Sequence, residues 1–323
     1  MISAFEPEQQ ETIAFLEAMR PCGRVTTHAS HVFLFDDHVL KLKRPLRYAY
    51  LDFSTPQRRL ADCERELAIN RRFTPRLYLG LRRITRDADG ALCFDGQGDL
   101  VDAVVEMRRF GDGDLFSRVV AEGRATPAMV TQLAGVIAAS HERAEAASPK
   151  GGAEAFARVL ALNERALRAN APVGLERIDA LTAGLRDLHA RHAALLDARR
   201  ARGCVRRCHG DLILRNICLL DGEPALFDAL EFDENLATTD VLYDLAFALM
   251  DLWRQGERAF ANLLFNRYLD ARDESDGLAL TPLFMATRAV VRAHVAAALG
   301  PEHQDEAQSY FALAESLLEP RAP

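Results

Sequence analysis

The sequence predicts an α+β chain in two lobes, a small β-rich N-lobe at residues 1–107 and a larger α-rich C-lobe at residues 108–323. Three observations predict it. Residues 24–107 carry about five strand-like runs broken by one helical pattern. From Thr126 onward, helical patterns follow one another almost without pause. One polar hairpin, CHGDLILRNICLLDGEPALFDALEF, interrupts them at Cys208–Phe232.

The first 20 residues read as a short helix, and VFLFDDHVLKLK over Val32–Lys43 reads as a hairpin about Asp36-Asp37-His38. A helix is expected over residues 56–73. Thr55 suits its N-cap, Pro56 suits the first helical position, and Leu60, Cys63 and Leu67 repeat at helical spacing. RLYLGLRRI and ALCFDG flank the turn signal DADG at 87–90 and give two more strands, and VDAVVEMRRF gives a fifth. A connector is expected near 106–113. Thr126-Pro127 then starts a helix running to Ala147, and SPKGG at 148–152 is a loop. Further helices are expected at 153–170, 175–201, 240–255, 257–271, 282–299 and 303–318, with Thr281-Pro282 and Gly300-Pro301 bounding the one at 282–299.

Composition narrows the function classes. The chain has 323 residues, 49% apolar and 27% charged, with a net charge of −7. That is enough for a large core, and nucleic acid is not the expected partner, since its binding face would be basic. The six scattered cysteines indicate a reducing compartment, and Cys204, Cys208 and His209 lack the second ligand pair that a zinc site would need. The N-terminus has no basic leader pattern. LATTDVLYDLAFALMDLW, the most apolar later run, carries three Asp and is too short to span a bilayer. A cytoplasmic protein without membrane contact is expected. Oligomeric state has no signature.

The hairpin carries the chemistry. If Gly222-Glu223 centre its turn, Asp221 faces Pro224, Ile217 faces Asp228 and Asn216 faces Ala229. Asp211, five residues before Asn216, lies in the loop entering the first strand. Three oxygen-bearing side chains then converge. Phosphoryl transfer uses such a set, because Mg2+ takes hard oxygen ligands and a separate Asp can orient or deprotonate a hydroxyl. The D-x4-N spacing matches the kinase catalytic loop, and the later Asp stands where the metal-binding Asp of protein kinases stands.

HGDLILRN, LFDALEF and TTDVLYDLAF resemble the aminoglycoside phosphotransferase family, which has a protein-kinase-like fold. THASHVFLFDDHVLKLKRPLRYAYLDFST and CERELAINRRF narrow the resemblance to an uncharacterised bacterial branch, some members of which are fused to a P-loop ATP-binding domain. The resemblance spans about residues 24–300. It implies that Asp211 is the catalytic base or orienting group, that Asn216 and Asp228 ligate Mg2+, and that His209 supports the loop. The family's His two residues after the catalytic Asp is Ile213 here, which alters loop packing and leaves the chemistry in place. Asp240 and Asp244 match a family Asp pair and read best as a helix N-cap and a buried salt bridge.

ATP must sit against the β-rich lobe, which has neither a Walker A motif nor GxGxxG. THASH is the equivalent turn, with Ser30 and His31 near its tip. Lys41 and Lys43 share a strand face, and either could reach the phosphates; VLK resembles the family's strand lysine and favours Lys41. Glu64 and Glu66 are alternative partners by periodicity, and the family's Arg-Glu pattern favours Glu66. The backbone at Glu106 and Met107 is expected to bond the adenine edge. The acceptor is expected to be a small-molecule hydroxyl, with Glu231, Asp233, Glu234 and Asp251 as acidic candidates for a cationic one. A protein Ser/Thr kinase of stress or regulatory type and a nucleotide-binding pseudokinase are the rival readings. A metal-dependent hydrolase built on His209 and Asp211 would need further His ligands that have no HxH or HExxH spacing here.

Overall fold

The computed structural model describes residues 9–48, 51–146 and 151–319. The chain divides into two compact units. The first is Met1–Asp114 together with Cys218–Glu234, and the second is Leu115–Ile217 together with Asn235–Pro323. The polar hairpin, attached to the helical half by its place in the sequence, therefore clusters with the sheet from Cys218 onward.

The first unit opens with helix α1 (Gln10–Ala18), then β1 (Gly23–Thr26), β2 (Ser30–Leu34), β3 (His38–Lys43), β4 (Arg47–Tyr48) and β5 (Leu51–Asp52). Helix α2 (Pro56–Asn70), β6 (Tyr78–Arg86), β7 (Leu92–Phe94) and β8 (Asp99–Arg108) follow. The main sheet has six strands in the order β1-β2-β3-β8-β6-β7, one more than expected, because Gly23–Thr26 forms its own strand against β2. β4 and β5 make a separate small hairpin.

Alternation along the strands explains both faces of this sheet. Val39 of β3 and Ala103, Val105 and Met107 of β8 pack with Cys63 of α2 and with Cys218, Leu220 and Ala225 of the later hairpin. Phe33, Leu40, Leu42 and Val104 pack on the other face with Leu16 of α1. A side-chain period of two sends odd-numbered residues of β3 toward α2 and even-numbered ones toward α1. Lys41 and Lys43 are odd-numbered, so both point at α2 from a strand that β2 and β8 flank. α2 begins as expected: the Thr55 hydroxyl accepts from the Arg58 amide and Pro56 opens the helix. It ends three residues earlier than expected, at Asn70.

The second unit contains α3 (Phe116–Ala121), α4 (Pro127–Arg143), α5 (Gly152–Asn170), α6 (Leu175–Ala201) and β9 (Val205–Arg207). The chain then passes through β10 (Ile217–Leu220) and β11 (Glu223–Leu226) into α7 (Glu234–Ala237), β12 (Thr238–Asp240), α8 (Val241–Arg254), α9 (Arg258–Ala271), α10 (Thr281–Leu299) and α11 (Gln304–Leu318). Thr126 caps α4 through the Met129 amide; Ala147, the expected end of that helix, lies outside the described residues. α8 is buried continuously from Val241 to Leu252, and α9 and α10 pack against it. β9 pairs with β12, a two-strand ladder that no sequence pattern announced. Among the described residues, no helix is long and apolar enough to cross a membrane.

Arg199, near the end of α6, is wholly buried. Its guanidinium donates to both oxygens of Asp240 at 2.8 and 2.9 Å, to Glu274 at 2.8 Å and to Asp276 at 2.7 Å. Asp240 also caps α8 by accepting from the Leu242 amide at 2.9 Å, so the N-cap and buried-salt-bridge reading describes this residue. Removing the cation would take the buried Asp240 carboxylate's ion-pair partner away, while Glu274 keeps the Arg272 guanidinium at 2.8 Å. Arg199→Met is expected to destabilise the protein by about 3–5 kcal/mol, read as a lower urea midpoint at unchanged slope.

Candidate active site

The hairpin turns at Asp221-Gly222, not at Gly222-Glu223. Both residues have positive φ, 56° and 83°, which is the signature of a type I′ turn. Leu220 and Glu223 flank the loop. The change from the expected pairing is two residues in register, so no side chain switches face. The glycine is required at 222, because a β-carbon would strain that left-handed backbone.

Asp228 lies two residues past β11, with φ at 58°. Asp tolerates that region at a cost of about 1 kcal/mol. Three residues of the first unit meet there. The Lys41 ammonium donates to Glu66 Oε1 at 2.8 Å and to Asp228 Oδ1 at 2.5 Å. The Asp228 side chain is 44% exposed, so its carboxylate opens to solvent, while Glu66 is fully buried and Lys41 is 15% exposed. Glu64 is exposed and takes no such part. The main chain after Asp228 is held as well: its amide donates to the Tyr78 hydroxyl at 3.0 Å, and the Ala229 amide donates to Asn70 Oδ1 at 2.8 Å.

Lys43 is even more deeply buried than Lys41. Its ammonium donates to Glu231 Oε1 at 2.7 Å and lies 2.5 Å from Glu66 Oε2 and 3.0 Å from Asp62 Oδ2. Burial pulls down the pKa of each lysine, but the surrounding carboxylates outweigh it and raise both well above the ordinary value. Burial pushes the Glu66 carboxyl up, and the two lysines more than reverse that, so it is held ionised below its ordinary range.

Asp211 and Asn216 belong to the second unit. The loop between β9 and β10 starts at Cys208, whose amide donates to Ala237 O at 2.9 Å, and passes Gly210 with φ at 86°. The Asn216 amide nitrogen donates to Asp211 O at 3.0 Å and to Asp211 Oδ2 at 2.9 Å. Two acceptor-only partners fix the orientation of that amide and leave its Oδ1 as a hard oxygen donor. An amide oxygen and a half-exposed carboxylate are the donor types Mg2+ takes, so Asn216 and Asp228 fit that ion in chemistry.

Helix α8 anchors this loop. Asp244, wholly buried, accepts from the His209 amide at 3.2 Å, the Gly210 amide at 2.8 Å and His141 Nε2 at 3.1 Å. Burial raises its carboxyl, but the His141 bond, with the charges of His141, His209 and Arg288, lowers it to about 2. Two helical turns on, Asp251 accepts from the Leu214 amide at 3.2 Å. Asp251 is thus bound to the loop and buried, and Glu231 is bound to Lys43; neither is an open carboxylate for a cationic acceptor. Asp233 is half-buried and Glu234 exposed.

On the nucleotide side, the placement of Ser30 and His31 differs from expectation. Ser30 and His31 are not at the tip of the THASH turn. They are the first residues of β2, paired with Lys43 and Leu42, and the loop proper is Thr27–Ala29. The Arg44 guanidinium donates to Thr27 O at 3.1 Å and to His28 O at 3.2 Å, which sets the loop one step earlier. Glu106 and Met107 lie inside β8, registered with β3 on one side and β6 on the other. Cys204 and Cys208 are buried thiols; burial lifts Cys204 to about 11 and raises Cys208 well above its ordinary value.

No sequence signal points to Tyr78 or Asn70, and Lys43 reads from sequence only as an alternative to Lys41. Asp244 and Asp251 have only generic readings there. For these two a sharper signal exists: acids seven residues apart in an apolar helix share a face and need buried donors.

A profile of the phosphotransferase enzyme family matches residues 35–278. The chain belongs to that family. It is 31% identical over 274 residues, 83% of its length, to uncharacterised proteins of Mycobacterium bovis and Mycobacterium tuberculosis. It spans about half the length of those relatives, 53%. Among solved structures it is similar to a choline/ethanolamine kinase family protein from Mesorhizobium loti, at 16% identity and a TM-score of 0.57, over 97% of this chain and 95% of that one. It is similar to a choline kinase from Cryptosporidium parvum at 9% and 0.58, over 95% and 94%. A GDP complex of aminoglycoside 2'-phosphotransferase-IIIa matches at 13% and 0.53, over 98% and 99%. The fold is protein-kinase-like, with a β-sheet N-terminal region and a helical C-terminal region.

The Asp244 carboxylate predicts an acid response. Its folded pKa lies below the ordinary 3.8, so its stabilisation is complete above 3.8 and is lost as pH falls toward 2. Asp244→Asn is expected to cost about 2 kcal/mol at pH 7 and to flatten the loss of stability between pH 4 and pH 2, measured by urea unfolding at each pH.

Proposed function

We propose that the protein is an ATP-dependent kinase that transfers the γ-phosphate to a hydroxyl of a small molecule. The observation that carries this reading is Lys41 held between the buried Glu66 and the half-exposed Asp228. A kinase needs a strand lysine oriented by a helix glutamate, and a carboxylate beside it for the nucleotide's metal ion. Membership of the phosphotransferase enzyme family supports the reaction class, and the similar folds belong to proteins described as kinases and phosphotransferases.

The residues divide the work by chemistry. Glu66 holds the Lys41 ammonium extended, and Lys41 would bind the α- and β-phosphates. Asn216 Oδ1 and the Asp228 carboxylate would hold Mg2+, which supplies charge neutralisation at the β- and γ-phosphate oxygens when bound. Asp211, positioned by Asn216, would accept a hydrogen bond from the acceptor hydroxyl, orient its oxygen toward phosphorus and take its proton as the new P–O bond forms. Lys41 would offset negative charge on the departing ADP. The reading requires Asp211 and Asn216 to act with Asp228 on one nucleotide. The Thr27–Ala29 loop and the end of β8 would frame that nucleotide, beside Ser30, His31, Glu106 and Met107.

Two expected outcomes test this. ADP release is followed with ATP and Mg2+ across a library of amino alcohols, sugars, aminoglycosides and amino-acid-like acceptors. At least one acceptor should raise turnover above the ATP-only rate, and Asp211→Asn should lower that rate about 10²- to 10⁴-fold; equal turnover by the variant would remove Asp211 from its role. Lys41→Met should raise the KM for ATP and lower kcat, whereas an unchanged KM would exclude Lys41 from phosphate binding.

A further inference from the structure

The proposed reaction uses one strand lysine, yet two are buried against α2. Lys43 is 2% exposed, with Glu66, Asp62 and Glu231 around its ammonium. Its contacts with Glu66 Oε2 and Asp62 Oδ2 are ion pairs by distance without hydrogen-bond geometry; the bond to Glu231 is a true donor–acceptor contact at 2.7 Å. The Phe53 ring lies 5.4 Å from the ammonium and covers it further.

Buried ion clusters are poor stabilisers, since desolvating the charges cancels most of their attraction and apolar side chains do as well. A fold-only role therefore gives no reason for this one. Its connections do. Glu66 gives one oxygen to Lys41 and the other to Lys43. Glu231 lies three residues after Asp228, on a stretch from Phe227 to Asp233 without regular secondary structure. The neutral ties from Tyr78 and Asn70 fix the main chain at Asp228 and Ala229, and Lys43 fixes the stretch beyond.

We propose that Lys43 is a positioning residue: by gripping Glu66 and Glu231 together, it couples helix α2, which orients Lys41, to the loop that carries Asp228. The inference rests on the kinase reading. Without Lys43, Glu66 Oε2 and Asp62 Oδ2 lose their nearest cation, Glu231 turns toward water, and the Asp228 loop gains freedom. Lys43 itself touches no substrate.

ATP binding to the full chain by calorimetry, once with Mg2+ and once with EDTA, tests it without any acceptor. The readout is the ratio of the two affinities, which a change in global stability alone does not move. In the wild type, Mg2+ should tighten ATP binding. Lys43→Met, checked for native circular dichroism, should lose at least ten-fold of that gain. Glu231→Gln keeps the volume and breaks only the loop-side grip, so it decides the matter if Lys43→Met does not fold; it should lose at least three-fold. Wild-type tightening with an unchanged ratio in the folded variants overturns the coupling and leaves the kinase reading standing. Absence of ATP binding by the wild type in both conditions overturns both.

Discussion

The buried carboxylate of Glu66 divides its two oxygens between two lysines, Lys41 at 2.8 Å and Lys43 at 2.5 Å, and much of the first unit is arranged so that this sharing can occur. The lysines must leave β3 on the same side, which the two-residue period of a strand provides only for odd-numbered positions. The glutamate must arrive at their level, which depends on where α2 starts. Thr55 and Pro56 set that start, and Cys63 fixes the rotation by packing under β8. The even-numbered leucines of β3 close the opposite face against α1. A charged cluster costs desolvation, so it persists because the apolar packing on both faces holds it together, not because it holds the packing.

The second unit uses buried acid differently. Asp244 and Asp251 meet main-chain amides more than side-chain cations, accepting from His209, Gly210 and Leu214. An irregular loop has no ladder to satisfy its N–H groups, and a helix otherwise apolar from Val241 to Leu252 has nothing else to offer them. Placing acids two turns apart on that helix satisfies the loop at both ends of the segment that contains Asp211. The left-handed Gly210 bends the chain at the first of those points. The geometry of Asp211 and Asn216 thus descends from α8, and the geometry of Lys41 and Asp228 from β3 and α2.

What the sequence revealed follows from which interactions are local. Caps, the strand alternation and the helix order depend on neighbours within a few residues, and the caps could be read at Thr55 and Thr126; a turn could be read around Gly222, but not its centre. The HGD-x4-N motif stood out in the sequence because polar groups are unusual in such an apolar stretch, and its Asp211 and Asn216 are bonded to each other. What could not be read depends on tertiary partners. The turn centre moved by one residue because Asp accepts positive φ as readily as the following position needs Gly. Ser30 and His31 moved off the loop tip because Arg44 holds the carbonyls before them. The choice between Lys41 and Lys43 looked like an alternative because one dimension cannot show that a single glutamate takes both.

The acidic residues near the hairpin bear on the acceptor. In sequence, Glu231, Asp233, Glu234 and Asp251 form a plausible set for a polycationic one. In the fold, Lys43 takes Glu231 and the Leu214 amide takes Asp251, and a carboxylate already committed inside the protein has little attraction left for a ligand. The folds this chain shares belong both to proteins described as choline kinases and to those described as aminoglycoside phosphotransferases, so the architecture does not choose between them. Under the proposed kinase reading, the internal bonding of Glu231 and Asp251 would withhold these two carboxylates from a polycationic acceptor.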